Sequence, residues 1–312
     1  MIIHHDINSF IAHRPVVTIG TFDGVHLGHL KVIEQLKQIA RGIHGESVLF
    51  TFYPHPRQVL SNDHSDLRLI TTIDEKIDRL SQAGIDHLLV YPFTKTFASL
   101  TYQQFVLDVL VAKMKLNTLV VGHDHRLGKN REGSYENLVA LSKKNGFGVE
   151  KIDAFLYDEI DISSSKIRHA LQEGDVTKAN HFLGYPFSIK GKVAQGNKIG
   201  REIEFPTANI EANDPFKLIP ARGVYAITIE VDGFLHKAML NIGYRPTVNA
   251  NADNRTIEAH IFDYNHDIYQ KEVTIYFHQR VRDEKKFDSL DELKAQLLVD
   301  KVTIQGILDK IQ

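Results

Sequence analysis

The sequence predicts an α/β chain in two parts, a doubly wound parallel sheet followed by a small antiparallel β-barrel with a terminal helix. Three observations carry this. Short apolar runs alternate with helical patterns through the first half, β-rich runs follow one another without helices in the second, and the rhythm changes near Gly184. The 312 residues are about twice a common domain length, which agrees with two domains. The boundary is placed between Phe182 and Pro186, giving parts 1–184 and 185–312.

In the first part, residues 16–19, 48–53, 88–91, 119–121 and 149–152 are aliphatic or aromatic runs without polar alternation, as in strands covered on both faces. Helical patterns separate them. One opens near Leu27, a second carries the capping pair Thr72 and Glu75 and stops at Gly84, and a third starts at Thr101 with Gln104. A fourth runs from Ser134 to Asn145 and ends at Gly146. This alternation is that of a Rossmann-like sheet.

In the second part, residues 187–194, 224–231, 235–242, 256–262 and 273–281 are rich in β-branched and aromatic side chains, with an Asp232-Gly233 turn between two of them. Five such runs predict a barrel. The last helix follows Ser289, expected to close a capping box with Glu292, and Leu290, Leu293, Leu297 and Leu298 are expected to pack on the barrel.

Composition narrows the function. Lys and Arg total 37 against 39 Asp and Glu, a formal net charge of −2, and no dense basic tract offers a nucleic-acid surface. The chain has no cysteine, which excludes disulfides, thiolate nucleophiles and Cys-based metal sites. The start MIIHHDINSF is too polar for a signal-peptide apolar region, and no apolar run approaches the ~18 residues of a membrane span. The expectation is a cytoplasmic protein that handles small molecules, with no nucleic acid, membrane or obligate protein partner.

The stretch Gly20-Thr21-Phe22-Asp23-Gly24-Val25-His26-Leu27-Gly28-His29 joins the first of the buried runs to the first helix, the place where α/β sheets bind ligands. Open backbone N–H groups and the helix dipole favour phosphate there. His26 and His29 are three apart, so both imidazoles can face the same phosphates and donate to charge building on an α-phosphate. Solvated or capping histidines, or a shared zinc, remain the alternatives for such a pair taken alone.

His-x-Gly-His after a strand and glycine loop resembles the nucleotidyltransferase superfamily, and GTFDGVHLGH is similar to its flavin-adenylating branch. Further segments carry the same resemblance. Gly122-His123-Asp124-His125-Arg126-Leu127-Gly128 is similar to the second motif of that branch, with His125 and Leu127 standing where aromatics are expected. Ile162-Ser163-Ser164-Ser165-Lys166-Ile167-Arg168 resembles its Ile-Ser-Ser-Thr-x-x-Arg motif; taken alone, the run is a helix cap with surface charges. Phe52-Tyr53-Pro54-His55-Pro56 resembles a third segment that could line a flavin slot, or form a rigid turn. The resemblance implies that Gly20, Thr21, Phe22, Asp23, Gly28, Asp124 and Arg126 line the nucleotide and flavin. It implies too that Ser164, Ser165 and Arg168 hold the triphosphate of ATP.

In the second part, the run from Gly196 to Asn209 has two glycines and two cations, Lys198 and Arg201, suited to a loop folded over phosphates. Thr207 and Asn209 are hard oxygen ligands at alternate positions, as Mg²⁺ prefers. Phe205-Pro206-Thr207-Ala208-Asn209 resembles a signature of riboflavin kinases. Glu258 interrupts an apolar run: it is either a core carboxylate paired with a cation or, as the resemblance implies, the catalytic base. The resemblance also brings Lys198 and Gly200 to the phosphates and Arg245 and Arg282 to the flavin. Glu204 stands where the family usually has Gly, and a carboxylate there would repel ATP unless a cation offsets it.

The implied activity is that of bacterial bifunctional riboflavin kinase/FAD synthetases: riboflavin to FMN, then FMN to FAD, with ATP as co-substrate and Mg²⁺ as metal. Three other readings compete. One activity alone survives, the chain is a non-catalytic flavin-binding regulator, or the 17 histidines mark a metal protein.

Overall fold

A computed structural model of the chain describes residues 1–61, 67–122, 126–152, 156–157, 160–194, 205–244 and 255–311. Two compact units divide it, Met1–Ser163 and Ser164–Gln312.

The first unit is built on six strands: β1 (Ile2–His4), β2 (Val16–Ile19), β3 (Ser47–Tyr53), β4 (His87–Pro92), β5 (Thr118–Gly122) and β6 (Gly148–Ile152). They lie in the order β1-β4-β3-β2-β5-β6, every neighbouring pair parallel. The helices are α1 (Leu27–Gly42), α2 (Pro56–Leu60), α3 (Ile73–Gln82), α4 (Lys95–Ala98), α5 (Tyr102–Gln104, continued by a π-helical turn Phe105–Val111) and α6 (Tyr135–Asn145). A short antiparallel pair, β7 (Leu156–Tyr157) and β8 (Ile160–Asp161), follows. All five predicted strands are present within a residue at each end, because central strands buried on both faces read as unbroken apolar runs. Thr72 and Thr101 close the predicted capping boxes with Glu75 and Gln104, and Gly146 takes the left-handed conformation at φ 74° that ends α6.

Strand order fixes where ligands can bind. From β2 the chain steps through β3 and β4 to one side, then returns to place β5 and β6 on the other. The crevice beyond the carboxyl ends of β2 and β5 is therefore the switch point of the sheet. The loop from Gly20 to His26 leaves β2 there, and Gly122 closes β5 there.

Strand β1 went unpredicted. Its three residues are too short for periodicity, and it adds to the sheet edge beside β4 with polar help: His4 Nε2 lies 2.9 Å from His87 Nδ1, and His87 Nε2 lies 3.2 Å from the Glu46 carboxylate.

The second unit opens with α7 (Ser164–Glu173) and α8 (Val176–Leu183) and continues as β9 (Ser188–Ala194), β10 (Ala208–Ala212), β11 (Gly223–Val231), β12 (Phe234–Tyr244), β13 (Arg255–Ile261), β14 (Glu272–Arg282) and α9 (Leu290–Leu308). The six strands close antiparallel in the order β10-β13-β12-β11-β14-β9. Sequence predicted five. The missing one, β10, carries the polar residues Asn209 and Glu211 and buries Ile210 alone, so its pattern is too weak to read. The side chain of Asn180 on α8 ties this helix to the barrel, donating to Phe277 O at 2.8 Å and accepting from Phe187 N at 2.7 Å.

Two details of α9 correct the sequence reading. Ser289 accepts from Glu292 N, but the Glu292 carboxylate takes the N–H of Asp288, so the box is not reciprocal. Leu293 and Leu297 pack with Phe205, Val224, Met239 and Phe262, whereas Leu290 and Leu298 are 49% and 51% exposed. The buried stripe continues instead through Asp300, Ile304 and Leu308, the course a 3.6-residue helix takes along a flat outer barrel face.

Candidate active sites

The loop leaving β2 is held in a strained form. Phe22 and Val25 have φ of 47° and 36°, left-handed values that a β-branched residue rarely adopts. Asp23, 2% exposed, holds it there: its carboxylate accepts from Ile70 N, Thr71 N and the Thr71 hydroxyl, while Gly24 N donates to Thr71 Oγ1. Asp23 thus clamps this loop to the segment leading into α3. Gly20 N donates to Phe50 O, and Thr21 O accepts from Thr51, which anchors the loop to β3.

His26 is the N-cap of α1. Its Nδ1 accepts the backbone N–H of His29 at 3.3 Å, which places the ring hydrogen on Nε2 and makes that atom a donor. The His26 and His29 rings stack with centroids 3.6 Å apart, and the Phe22 ring lies 4.8 Å from the His29 ring with the two planes tilted by 50°. Gly28 permits this, since a Cβ there would sit 3.2 Å from the His26 ring. His29 is held neutral, its pKa well below the usual imidazole value, through desolvation first and then repulsion from His26 and Lys76. Its Nδ1 is buried without a partner. The capping reading of His26 and the ligand reading are therefore compatible: one ring nitrogen caps, the other donates.

Lys76 is a residue that sequence reasoning passed over. It is 5% exposed on α3, and burial draws its ammonium down to about 8 against the opposing pull of Asp23. The signal was present: Ile73, Lys76, Ile77 and Leu80 follow helical spacing, so a lysine stands in an apolar stripe.

Other members of the first constellation fall in several places. Asp124 and His125 lie outside the described residues. Arg126 is exposed, and Leu127 is a core residue, packed with Phe105 and Leu138 rather than facing a slot. Phe52 joins a ring cluster with Phe50, Phe93 and Phe97, and His55 caps α2. Ser164, Ser165 and Arg168 lie on the first two turns of α7, in the second unit.

In the barrel, strand register brings the second constellation together. Asn209 on β10 is directly opposite Glu258 on β13, and Glu258 is opposite Asn241 on β12. Cβ atoms of such pairs stand about 4.5–5.5 Å apart, so a carboxylate is flanked by two amides. A Cβ on Gly243 would meet Glu284 Oε1 at 2.7 Å and Thr256 Oγ1 at 3.2 Å, which places Glu284 over the same patch. Pro206, Thr207 and Ala208 line a cavity of about 650 Å³ with Ile261, Tyr264 and Ile268. His260 secures this edge, its Nδ1 2.8 Å from Pro206 O and its ring against Phe205. Lys198, Gly200, Glu204 and Arg245 lie outside the described residues. Arg282 makes a bidentate pair with the buried carboxylate of Asp300 at 2.7–3.1 Å and donates to Asp283 O, binding β14 to α9. Among the described residues no cluster of three or more His, Asp or Glu suits a metal ion.

Comparison with known proteins agrees with the family resemblance of both parts of the chain. Residues 9–166 match the family model for FAD synthetase, and residues 183–308 match that for riboflavin kinase. The chain is 39% identical over 300 residues to a bifunctional riboflavin kinase/FMN adenylyltransferase of Bacillus subtilis, covering 96% of this chain and 93% of that one. It is 35% identical over 302 residues to the protein of the same description from Escherichia coli, covering 96% and 94%. A solved structure from Streptococcus pneumoniae, described as a macrolide-efflux protein, superposes with a TM-score of 0.88 at 31% identity over 97% of this chain and 98% of that one. Among the described residues no helix is long and apolar enough to cross a membrane. With an FAD synthetase region followed by a riboflavin kinase region over nearly its whole length, the chain belongs to the family of bifunctional riboflavin kinase/FMN adenylyltransferases.

Proposed function

We propose that the two transferase reactions of this family are carried by the two constellations described above. FMN formation is assigned to residues 185–312 and FAD formation to residues 1–184. What supports the reading is that two residues of each constellation meet in space: two stacked histidines at the switch point of the sheet, and Asn209 opposite Glu258 across a barrel strand pair.

In the barrel, Glu258 takes the proton of the terminal ribityl hydroxyl while that oxygen attacks the γ-phosphorus of ATP and ADP leaves. Thr207 and Asn209 supply neutral oxygens next to one carboxylate, a set that fits Mg²⁺ retaining waters and phosphate oxygens. Bound there, the ion would neutralise charge on the transferring phosphate. The cavity beside Thr207 has room for a nucleotide. Arg282 serves the flavin indirectly, by fixing the chain from Asp283 onward through its pair with Asp300.

In the first unit, a phosphate oxygen of FMN attacks the α-phosphorus of ATP and pyrophosphate leaves. His26 Nε2 and His29 donate to the charge that builds there. Asp23 positions the loop rather than touching substrate, whereas Gly20, Thr21, Phe22 and Gly28 shape its wall. Asp124, Arg126, Ser164, Ser165 and Arg168 are assigned to the nucleotide on their motifs alone. The test is chromatographic: flavin-free chain with riboflavin, ATP and Mg²⁺ is expected to give FMN first and then FAD. H29A is expected to stop at FMN and E258Q to leave riboflavin unchanged unless FMN is supplied. FAD made by H29A at the wild-type rate, or FMN by E258Q, would remove the corresponding assignment.

A further inference from the structure

Lys76 lies on the buried stripe of α3 with Ile73, Ile77 and Leu80, facing the core that includes Phe22 and Val25 of the strained loop. A lysine at such a position carries a large desolvation cost unless something anionic meets it. Asp23 is the carboxylate whose field it feels, yet that carboxylate is engaged by Ile70, Thr71 and the Thr71 hydroxyl, and among the described residues no ion pair closes between the two. The Phe22 ring that lies 4.8 Å from the His29 ring packs in the same cluster as Ile73, Ile77 and Leu80, so the buried stripe of α3 that carries Lys76 lies against the loop beside His29. The stacked rings of His26 and His29, from the cap and first turn of α1, and the buried Lys76 of α3 thus border one loop at the switch point. The groups that face them are Asp23 from the loop and Glu75 from α3, whose carboxylate takes the N–H of Thr72. His29 Nδ1 is buried and unpartnered in the same place. A multiply charged anion would offset the desolvation cost of the buried ammonium.

We propose that Lys76 is a phosphate-binding residue of the adenylylation site, its ammonium meeting the polyphosphate of ATP, and then the departing pyrophosphate, beside His29. The inference rests on the assignment of FAD formation to His26 and His29. A polyphosphate would also raise the proton affinity of Lys76 and keep it charged when occupied, so free and bound enzyme should differ in pH response.

The experiment uses full-length wild type, K76M, K76R and H29A. Inorganic pyrophosphate binding is measured by calorimetry, and FAD formation from FMN and ATP is followed between about pH 6.5 and 9.5, with FMN formation from riboflavin in the same chains as reference. K76M is expected to weaken pyrophosphate binding at least tenfold and to lower kcat/KM for ATP about 100-fold, the cost of removing one preorganised donor, while FMN formation continues. Wild type should show an alkaline limb in kcat/KM near pH 8 that K76R lacks, which a packing role for Lys76 would not produce. K76M that binds pyrophosphate and makes FAD within about twofold of wild type overturns the proposal. If K76M fails to fold, amine acetylation of the wild-type chain read by mass spectrometry decides: pyrophosphate should protect Lys76, and equal labelling with and without it overturns the proposal. H29A as active as wild type would remove the assignment of the site itself; H29A inactive with K76M active removes Lys76 alone.

Discussion

At the residue scale, the clearest case is Asp23. Its motif position suggested a ligand contact, but its carboxylate satisfies two backbone N–H groups and a hydroxyl in the segment before α3. Leaving such buried donors unmet costs about 1–3 kcal/mol each. Asp23→Ala is therefore expected to lower the denaturant midpoint of the first unit and to abolish FAD formation while FMN formation persists; unchanged FAD formation would mean the loop holds its shape without the clamp. Buried and half-buried histidines contribute to the response to acid. His4, His29, His260 and His278 all have folded-state pKa values below the ordinary 6.5, each chiefly through desolvation. Below about pH 6.5 the unfolded chain takes up protons that these groups resist in the folded chain, so their contribution to stability falls with falling pH. Urea midpoints at pH 7.5 and 5.5 check the sign; a midpoint that rises on acidification would contradict it.

At the scale of elements, α9 shows how one polar pair fixes a helix. Asp300 is 2% exposed and receives three bonds from Arg282 and one from Gln296, joining α9 to β14. Removing one partner of a buried pair strands the other charge and costs about 3–5 kcal/mol. Asp300→Ala is expected to lower the melting transition of the barrel and, through the chain from Asp283 onward, to slow FMN formation. A barrel transition within about 1 kcal/mol of wild type would show that the pair is replaceable by water. The exposed residues Leu298, Val299 and Val302 lie off the stripe that carries this pair, and nothing among the described residues covers them.

At the scale of the whole molecule, the stacked histidines and the Asn209–Glu258 pair sit in separate compact units, so the two reactions should be separable. An equimolar mixture of H29A and E258Q full-length chains is expected to convert riboflavin to FAD, since one supplies FMN and the other adenylylates it. Either alone should not, and a mixture that stops at FMN would argue that FMN is not released between the reactions. The amide of Asn180, which joins α8 to β9 and β14, also shows why α7 and α8 fold with the barrel.

Sequence by itself determined the fold class, the strands of the central sheet, the capped helices and the family, because these rest on local patterns: unbroken apolar runs, Thr-x-x-Glu boxes and contiguous motifs such as GTFDGVHLGH. It also named His26, His29, Asn209 and Glu258. Tertiary structure alone decided the rest. The pairing of Asn209 with Glu258 and Asn241 depends on register between strands far apart in the chain, and β10 becomes a strand only because β9 and β13 accept it on either side. The role of Asp23 depends on a segment 47 residues away. Lys76 could be seen as an odd residue in an apolar stripe, but what faces it is fixed by the packing of α3 under the loop from β2, which no local pattern records.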